Sequence, residues 1–236
     1  MENPFLFDDD SPRHPAIRPK DAASLILFRR EGQTIRLLMG ERAPGHVFLP
    51  GRFVFPGGRV EPSDIRLRVS TDLRPEVRAK VAAGTSPAKA RALALAAIRE
   101  TFEETGLLVG QASTLLPRTR STGWRRFFTH GVIPRLEVLD FVARAITPPG
   151  RSRRFDARFF MADAGHIAHA LDAGSVSGEL VRPVWLTLAE ARAADILPIT
   201  RCIVSEVEAR LGAAPDPARP VPFYIPQRGK AVILSL

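Results

Sequence analysis

Glu100, Glu103 and Glu104 stand at i, i+3 and i+4 in the run Arg99-Glu100-Thr101-Phe102-Glu103-Glu104-Thr105-Gly106-Leu107. On a helix that spacing puts three carboxylates on one face. The residues before them specify such a helix. Ser86 suits an N-cap, Pro87 suits the first helical position, Ala88 to Ile98 is rich in helix formers, and Gly106 stands where a helix would stop. The acids then fall in the last two turns, where they oppose the helix dipole, and like charges at i,i+4 cost roughly 0.2–0.5 kcal/mol per pair. Arg99, four residues before Glu103, is the only local relief. One reading is a solvated acidic stripe. The unfavourable placement favours the other: oxygen ligands that repel one another when empty and receive a hard divalent cation, Mg2+ or Mn2+.

Upstream lies Phe55-Pro56-Gly57-Gly58-Arg59-Val60-Glu61. A glycine pair is by itself only a turn; next to a carboxylate cluster it is a place where main chain can approach a ligand closely. Pro-Gly-Gly followed by Arg-Glu-x-x-Glu-Glu-x-Gly-hydrophobic resembles the box of the Nudix hydrolases, which runs Gly, five residues, Glu, seven residues, then Arg-Glu-hydrophobic-x-Glu-Glu-x-Gly-hydrophobic. The chain departs from that pattern in three ways. Counting from Gly58, Asp64 takes the Glu position, the seven-residue gap becomes the 34 residues Ile65 to Ile98, and Thr101 fills the hydrophobic slot after Glu100. A long insertion inside the box, together with the run from Phe48 to Gly58, resembles the branch containing the acyl-CoA diphosphatases.

The resemblance implies an α/β fold, the Nudix α/β/α sandwich with a mixed sheet, carrying an insertion between the two halves of the box. It implies a metal held by the Gly57 carbonyl, Glu100, Glu103 and Glu104, with Arg99 orienting the glutamates by ion pairing. Glu103 is the choice for general base and Glu179 its rival. Arg42 and Arg59 are candidates to reach substrate phosphates. The implied reaction is hydrolysis of a diphosphate bond in a small-molecule nucleoside diphosphate derivative. The leading candidate is CoA or acyl-CoA; ADP-ribose, an NDP-sugar or a dinucleotide is the alternative. A Nudix-fold ligand sensor or an RNA-binding protein is the non-enzymatic one.

Composition narrows the field. A chain of 236 residues with 45% hydrophobic and 25% charged residues suits one soluble domain with an insertion. No apolar run has the length of a membrane span, and the N-terminus lacks the basic start of a secretory signal, so a cytoplasmic protein is expected. Cys202, the single cysteine, excludes an internal disulfide and a cysteine metal site. The net charge of +9 comes mostly from arginine. It suits a groove that attracts phosphorylated small molecules; without a recognisable motif, or a basic run with interleaved aromatics, a nucleic-acid module is not expected. The oligomeric state is open, a homodimer included.

In order along the chain, residues 1–20 read as an irregular arm, 21–212 as the Nudix domain, and 213–236 as a Pro-rich tail whose last residues, Ala231 to Leu236, can add an edge strand. Ala22–Phe28 and Thr34–Met39 are strands joined by a hairpin, and Ala43–Gly58 is a loop. The 65–85 insertion holds a short helix from Arg74 to Ala83 and either borders the pocket or decorates the surface. Leu107–Val109, Val138–Ala145, Phe155–Met161 and Leu180–Leu186 are further strands. Trp124 to His130 either stacks an adenine or forms a hydrophobic patch under a loop. Arg153, Arg154 and Arg158 are candidates for a phosphate clamp. His166 and His169, at i,i+3, are either a ligand pair or an exposed helix face. Thr187 to Glu190 is a capping box, and Pro198–Leu211 a helix stopped by Gly212.

Overall fold

The structure, a computed structural model, describes residues 15, 17–43, 51–171, 180–227 and 230–236. Strand β1 (Lys20–Glu31) pairs with β2 (Thr34–Arg42) so that Glu31 opposes Thr34. The two-residue turn between them needs a positive φ, which Gly32 supplies at 60°. Two short strands, β3 (Phe53–Val54) and β4 (Gly57–Arg59), form inside the stretch expected as a loop. They arise from partners distant in sequence: β3 lies on β2, and β4 runs antiparallel to Ala22–Ser24 of β1.

Helices α1 (Pro62–Arg66) and α2 (Pro75–Val81) follow, then the long α3 (Pro87–Thr105). The caps of α3 are those its sequence specifies. The Ser86 hydroxyl accepts the Lys89 amide at 3.2 Å, and Gly106 closes the helix at φ 73°. Beyond it come β5 (Leu107–Ala112), α4 (Thr122–Phe128), β6 (Val132–Pro134), β7 (Asp140–Ile146), β8 (Phe155–Asp163) and β9 (Ile167–Ala170). The chain ends with β10 (Leu180–Thr187), α5 (Leu188–Ala193), α6 (Pro198–Leu211), β11 (Pro222–Gln227) and β12 (Lys230–Ser235).

The main sheet runs β10-β2-β1-β8-β7-β11-β12 and is mixed: β1 with β8 and β7 with β11 are parallel, the other pairs antiparallel. β5 forms a separate small sheet between β6 and β9. One face of the main sheet packs on α3, through residues such as Leu25, Leu27 and Phe160 against Leu93, Ala94 and Phe102. The other face packs on α5 and α6, with Ile26, Met39 and Val142 against Ala191, Ile203 and Val207. This is the expected α/β/α sandwich. Seven successive positions of α3, Ala92 to Ile98, are buried, because the sheet, α1, α2 and β5 surround it, and its alanines admit those neighbours closely. Among the described residues no helix is long and apolar enough to cross a membrane.

Several expectations change. The insertion does not merely decorate the surface. Leu67, Leu73, Val77 and Val81 are core residues, and Arg91 of α3 donates to the carbonyls of Leu67, Val69 and Thr71. Trp124, Phe127 and Phe128 neither await an adenine nor sit partly exposed under a loop; they lie on α4 with their rings packed in the core. His169 lies on β9 rather than on a helix, its ring stacked on His130 at 5.3 Å. The Pro-rich stretch after Gly212 forms a strand of its own, β11, parallel to β7, and β12 beside it is the edge strand expected at Ala231 to Leu236. Arg158 is 1% exposed beside Asp156 and Asp21, so its guanidinium braces the sheet and has no surface from which to clamp a phosphate. Arg154 donates to the carbonyls of Thr147 and Ile17.

Two expected outcomes follow from this packing. Leu93→Ala leaves a cavity where α3 meets the sheet and lowers unfolding stability by about 3 kcal/mol, read from urea titration. Burial alone would raise the Asp156 carboxyl, but the paired hydrogen bonds from Arg144, at 2.9 and 2.8 Å, and the charge of Arg158 hold it below its ordinary value. Its stabilising contribution is therefore complete above the unfolded value, near pH 4, and is lost as pH falls through the lower folded value. Asp156→Asn should remove that acid-dependent component and cost on the order of 3 kcal/mol at neutral pH, as seen by unfolding from pH 3 to 7.

Candidate active site

Four elements meet at one side chain. Arg99, in the penultimate turn of α3, is 2% exposed, and all five of its N–H donors are used. Nε and Nη2 donate to the two Asp64 oxygens, each at 3.0 Å, and Nη2 also donates to the Arg59 carbonyl at 3.0 Å. Nη1 donates to Glu100 Oε1 and Glu103 Oε2, each at 2.9 Å. Asp64 is equally complete. Besides Arg99 it accepts Trp124 Nε1 and the Glu61 amide, both at 2.8 Å, so each oxygen takes two donors. Its side chain, one methylene shorter than the glutamate of the box, reaches because α1 carries it to Arg99 directly. Pro62 starts that helix, and Glu61 and Asp64 form a reciprocal capping box. Thr101, where an apolar residue was expected, is buried with its hydroxyl donated to the Ala97 carbonyl at 2.8 Å.

The glycines are where the carboxylates need them. At Gly57 an added Cβ would collide with Ser24 and the Ala23 carbonyl, so only glycine lets β4 lie this close to β1. At Gly58 it would collide with the Glu100 carboxylate, and at Gly123 with Glu103 Oε1. The Gly57 amide donates to Glu104 Oε2 at 2.9 Å. Glu100 and Glu104 therefore lie against the Gly57-Gly58 bend, and Glu103 lies against Gly123. Gly123 and Trp124 belong to the site as well, although the sequence marked only an aromatic cluster there. Their roles depend on α4 packing over α3, which no local pattern announces.

Charge is out of balance here. Asp64, Glu100 and Glu103 share one guanidinium. Burial pushes Glu100 up to about 7 despite Arg99, with Glu103 and Asp64 adding repulsion, and burial also raises Glu103. Burial works against the Arg99 charge, yet the Asp64 hydrogen bonds and the glutamates more than offset it and strengthen its hold on the proton.

Among the described residues no three Asp, Glu, His or Cys side chains converge as a ready cation site. Glu100 and Glu103 are each drawn to Arg99, and Glu104 is turned to the Gly57 amide. Glu100 Oε2 and Glu103 Oε1 nevertheless make no hydrogen bond to any described residue. Hard oxygens in negative excess, packed against glycine backbone, fit Mg2+ or Mn2+. Of the other expected residues, Arg42 ends β2, and Arg59 is exposed immediately past the bend with its carbonyl on Arg99. Glu179 lies outside the described residues.

No protein-family model matches the chain, and no curated protein matches it. Among solved structures it is similar to a NUDIX hydrolase from Alicyclobacillus acidocaldarius, with 24% identity over 83% of this chain and 96% of that one, at a TM-score of 0.59. That likeness shows the Nudix fold. A C. elegans Ap4A hydrolase binary complex (16% identity, 82% and 98% covered, TM-score 0.46) and the NUDIX domain of Shewanella oneidensis NrtR complexed with ADP ribose (11%, 83% and 90%, 0.48) are looser likenesses and carry no argument.

Removing one partner of the central pair leaves the other charge buried and unmatched. Asp64→Ala should therefore cost about 3–5 kcal/mol in unfolding stability. Asp64→Glu, which restores the carboxylate, should recover part of it, both measured by denaturant titration.

Proposed function

We propose that the chain is a divalent-metal-dependent hydrolase that cleaves a diphosphate bond in a nucleoside diphosphate linked to another moiety. The observation that carries this reading is Arg99: fully hydrogen-bonded and anchored by Asp64, it holds Glu100 against Gly58 and Glu103 against Gly123 so that each keeps one oxygen unbonded. Mg2+ or Mn2+ held by Glu100, Glu103, Glu104 and the Gly57 carbonyl would neutralise charge on the phosphoryl oxygens and make water a competent nucleophile. Glu103 takes the proton of the attacking water on its open oxygen, and its burial-raised pKa suits that role better than an ordinary carboxylate would. Arg99 positions Glu103 without touching substrate. Glu179 is the rival base. Arg59 and Arg42 meet the phosphates of the substrate. Water oxygen bonds to one phosphorus, the bridging P–O bond breaks, and the departing phosphate carries away the charge.

The finer reading is CoA or acyl-CoA, cut to 3′,5′-ADP and a phosphopantetheine product; it rests on the resemblance of the interrupted box. Incubation with CoA, ADP-ribose and dinucleoside polyphosphates in Mg2+ or Mn2+ tests it. Cleavage of CoA is expected, whereas intact CoA beside rapid ADP-ribose cleavage would overturn the CoA reading and keep the diphosphatase. Glu103→Gln should lower turnover by about a thousandfold or more, with the circular dichroism spectrum unchanged. Retained turnover in that variant would overturn the assigned role. A chelator should abolish turnover and added Mg2+ or Mn2+ restore it.

A further inference from the structure

A cleft of about 500 Å³ opens between α1 and the segment leading into α4, with Ser63 and Arg66 on one wall and Arg118, Thr119, Arg120 and Ser121 on the other. Most arginines around the core are spent on structure: Arg91 on three carbonyls, Arg144 on Asp156, Arg219 on Glu206. The three in the cleft are different. Arg66, Arg118 and Arg120 make no hydrogen bond or ion pair with any described residue. No carboxylate lines the cleft. Asp64 on α1 is 1% exposed and has every acceptor position taken from the inner side, and the carboxylate of Glu61, the N-cap of α1, is held outside the lining by the Ser63 hydroxyl at 3.0 Å.

The hydroxyls point to the same chemistry. Thr119 Oγ1 accepts the Ser121 amide at 3.2 Å, and Ser121 Oγ accepts the Trp124 amide at 3.5 Å. Each hydroxyl has received a donor and keeps its own proton to give. The cleft therefore offers three guanidinium groups and two hydroxyl donors. A compact group that only accepts hydrogen bonds and carries more than one negative charge answers that set of donors. A phosphate monoester meets all three conditions, with oxygens that match the guanidinium fork. A carboxylate brings one charge; a nucleic-acid backbone brings one per phosphate along a track longer than this cleft.

We infer that this cleft binds a phosphate monoester, separately from the carboxylate site. One wall is α1, which turns Asp64 inward to Arg99, and the other leads directly into α4, whose Trp124 donates to Asp64. The occupant is either a second phosphate on the substrate or a free phosphorylated molecule, and the two sources can be told apart. Binding is measured by calorimetry at constant ionic strength with inorganic phosphate, 5′-AMP, 3′,5′-ADP and phosphatidylserine vesicles, on the full chain and on Arg118→Ala/Arg120→Ala.

The expected result is that the wild type binds 3′,5′-ADP about tenfold or more tightly than 5′-AMP and that the double variant loses this preference, which identifies a substrate phosphate. Binding of inorganic phosphate that the variant loses, with no preference between the nucleotides, identifies a free phosphate. Equal affinity of wild type and variant for every probe overturns the inference. So does a loss confined to phosphatidylserine vesicles, the outcome that exposed Ile65 and Leu115 on the same two segments would favour. Arg66→Gln, on the opposite wall, carries the same expectation if the double variant fails to fold, as judged by thermal unfolding. The readout needs no turnover, so a chain without hydrolase activity would still show the site.

Discussion

The hydrogen-bonded pair of Arg99 and Asp64 is the constraint on which the rest of the structure depends. Each group is almost wholly removed from water, and the cost of that is offset only because every donor of one and every acceptor of the other is used. The bonds reach α1 through Asp64, β4 through the Arg59 carbonyl, α4 through Trp124 and the reactive face of α3 through the two glutamates. A buried pair of this kind is weak evidence for stability in itself. Its effect is geometric: few other arrangements of these four elements leave neither charge stranded, so the elements lock together.

Helix α3 combines two opposing tendencies. Its middle turns, Ala92 to Ala97, are alanine and leucine buried on nearly all sides, where small side chains let the sheet and the insertion close in. Its last two turns carry acids that the helix dipole and their mutual repulsion disfavour, with no basic residue in the final turn. An isolated helix of this sequence would fray at that end. Here Ile98 and Phe102 of the same turns are buried, the Gly57 amide binds Glu104 from outside the helix, and Arg99, held by Asp64 of α1, binds Glu100 and Glu103. The cost of crowding the acids is met by packing elsewhere, as expected where charge is gathered for a purpose other than folding.

What was legible in the sequence was local. The caps of α3, the hairpin at Gly32, the Thr187–Glu190 capping box and the span Pro198–Leu211 each depend on residues within a few positions of one another, and each is where the pattern put it. The helical spacing of Glu100, Glu103 and Glu104 was legible for the same reason. What was not legible depended on distant partners. β4 exists because Ala22–Ser24 lies beside it, and β11 because β7 does. The aromatics of α4 looked like a surface cluster beside basic residues until Asp64, sixty positions earlier, supplied an acceptor for the indole N–H. Arg158 had the composition of a phosphate ligand and the address of a sheet brace; only the strand pairing distinguishes the two.

Arginine is the clearest case of one residue type serving several ends. The positive excess of the chain suggested a general attraction for phosphates, yet much of it is internal: Arg91 and Arg154 satisfy carbonyls, and Arg144 and Arg158 neutralise Asp156. Net charge therefore says little about where an anion binds. The informative quantity is charge left unpaired in a concave place, and by that measure the cleft between α1 and α4 differs from the braced arginines. Because Asp64 and Arg66 ride on one short helix, a ligand that draws on Arg66 from outside bears on the element that anchors Arg99 from inside. Any coupling between the two sites must be reciprocal: whatever an occupant of the cleft does to the geometry of Glu103, a ligand at Glu103 does to the affinity of the cleft.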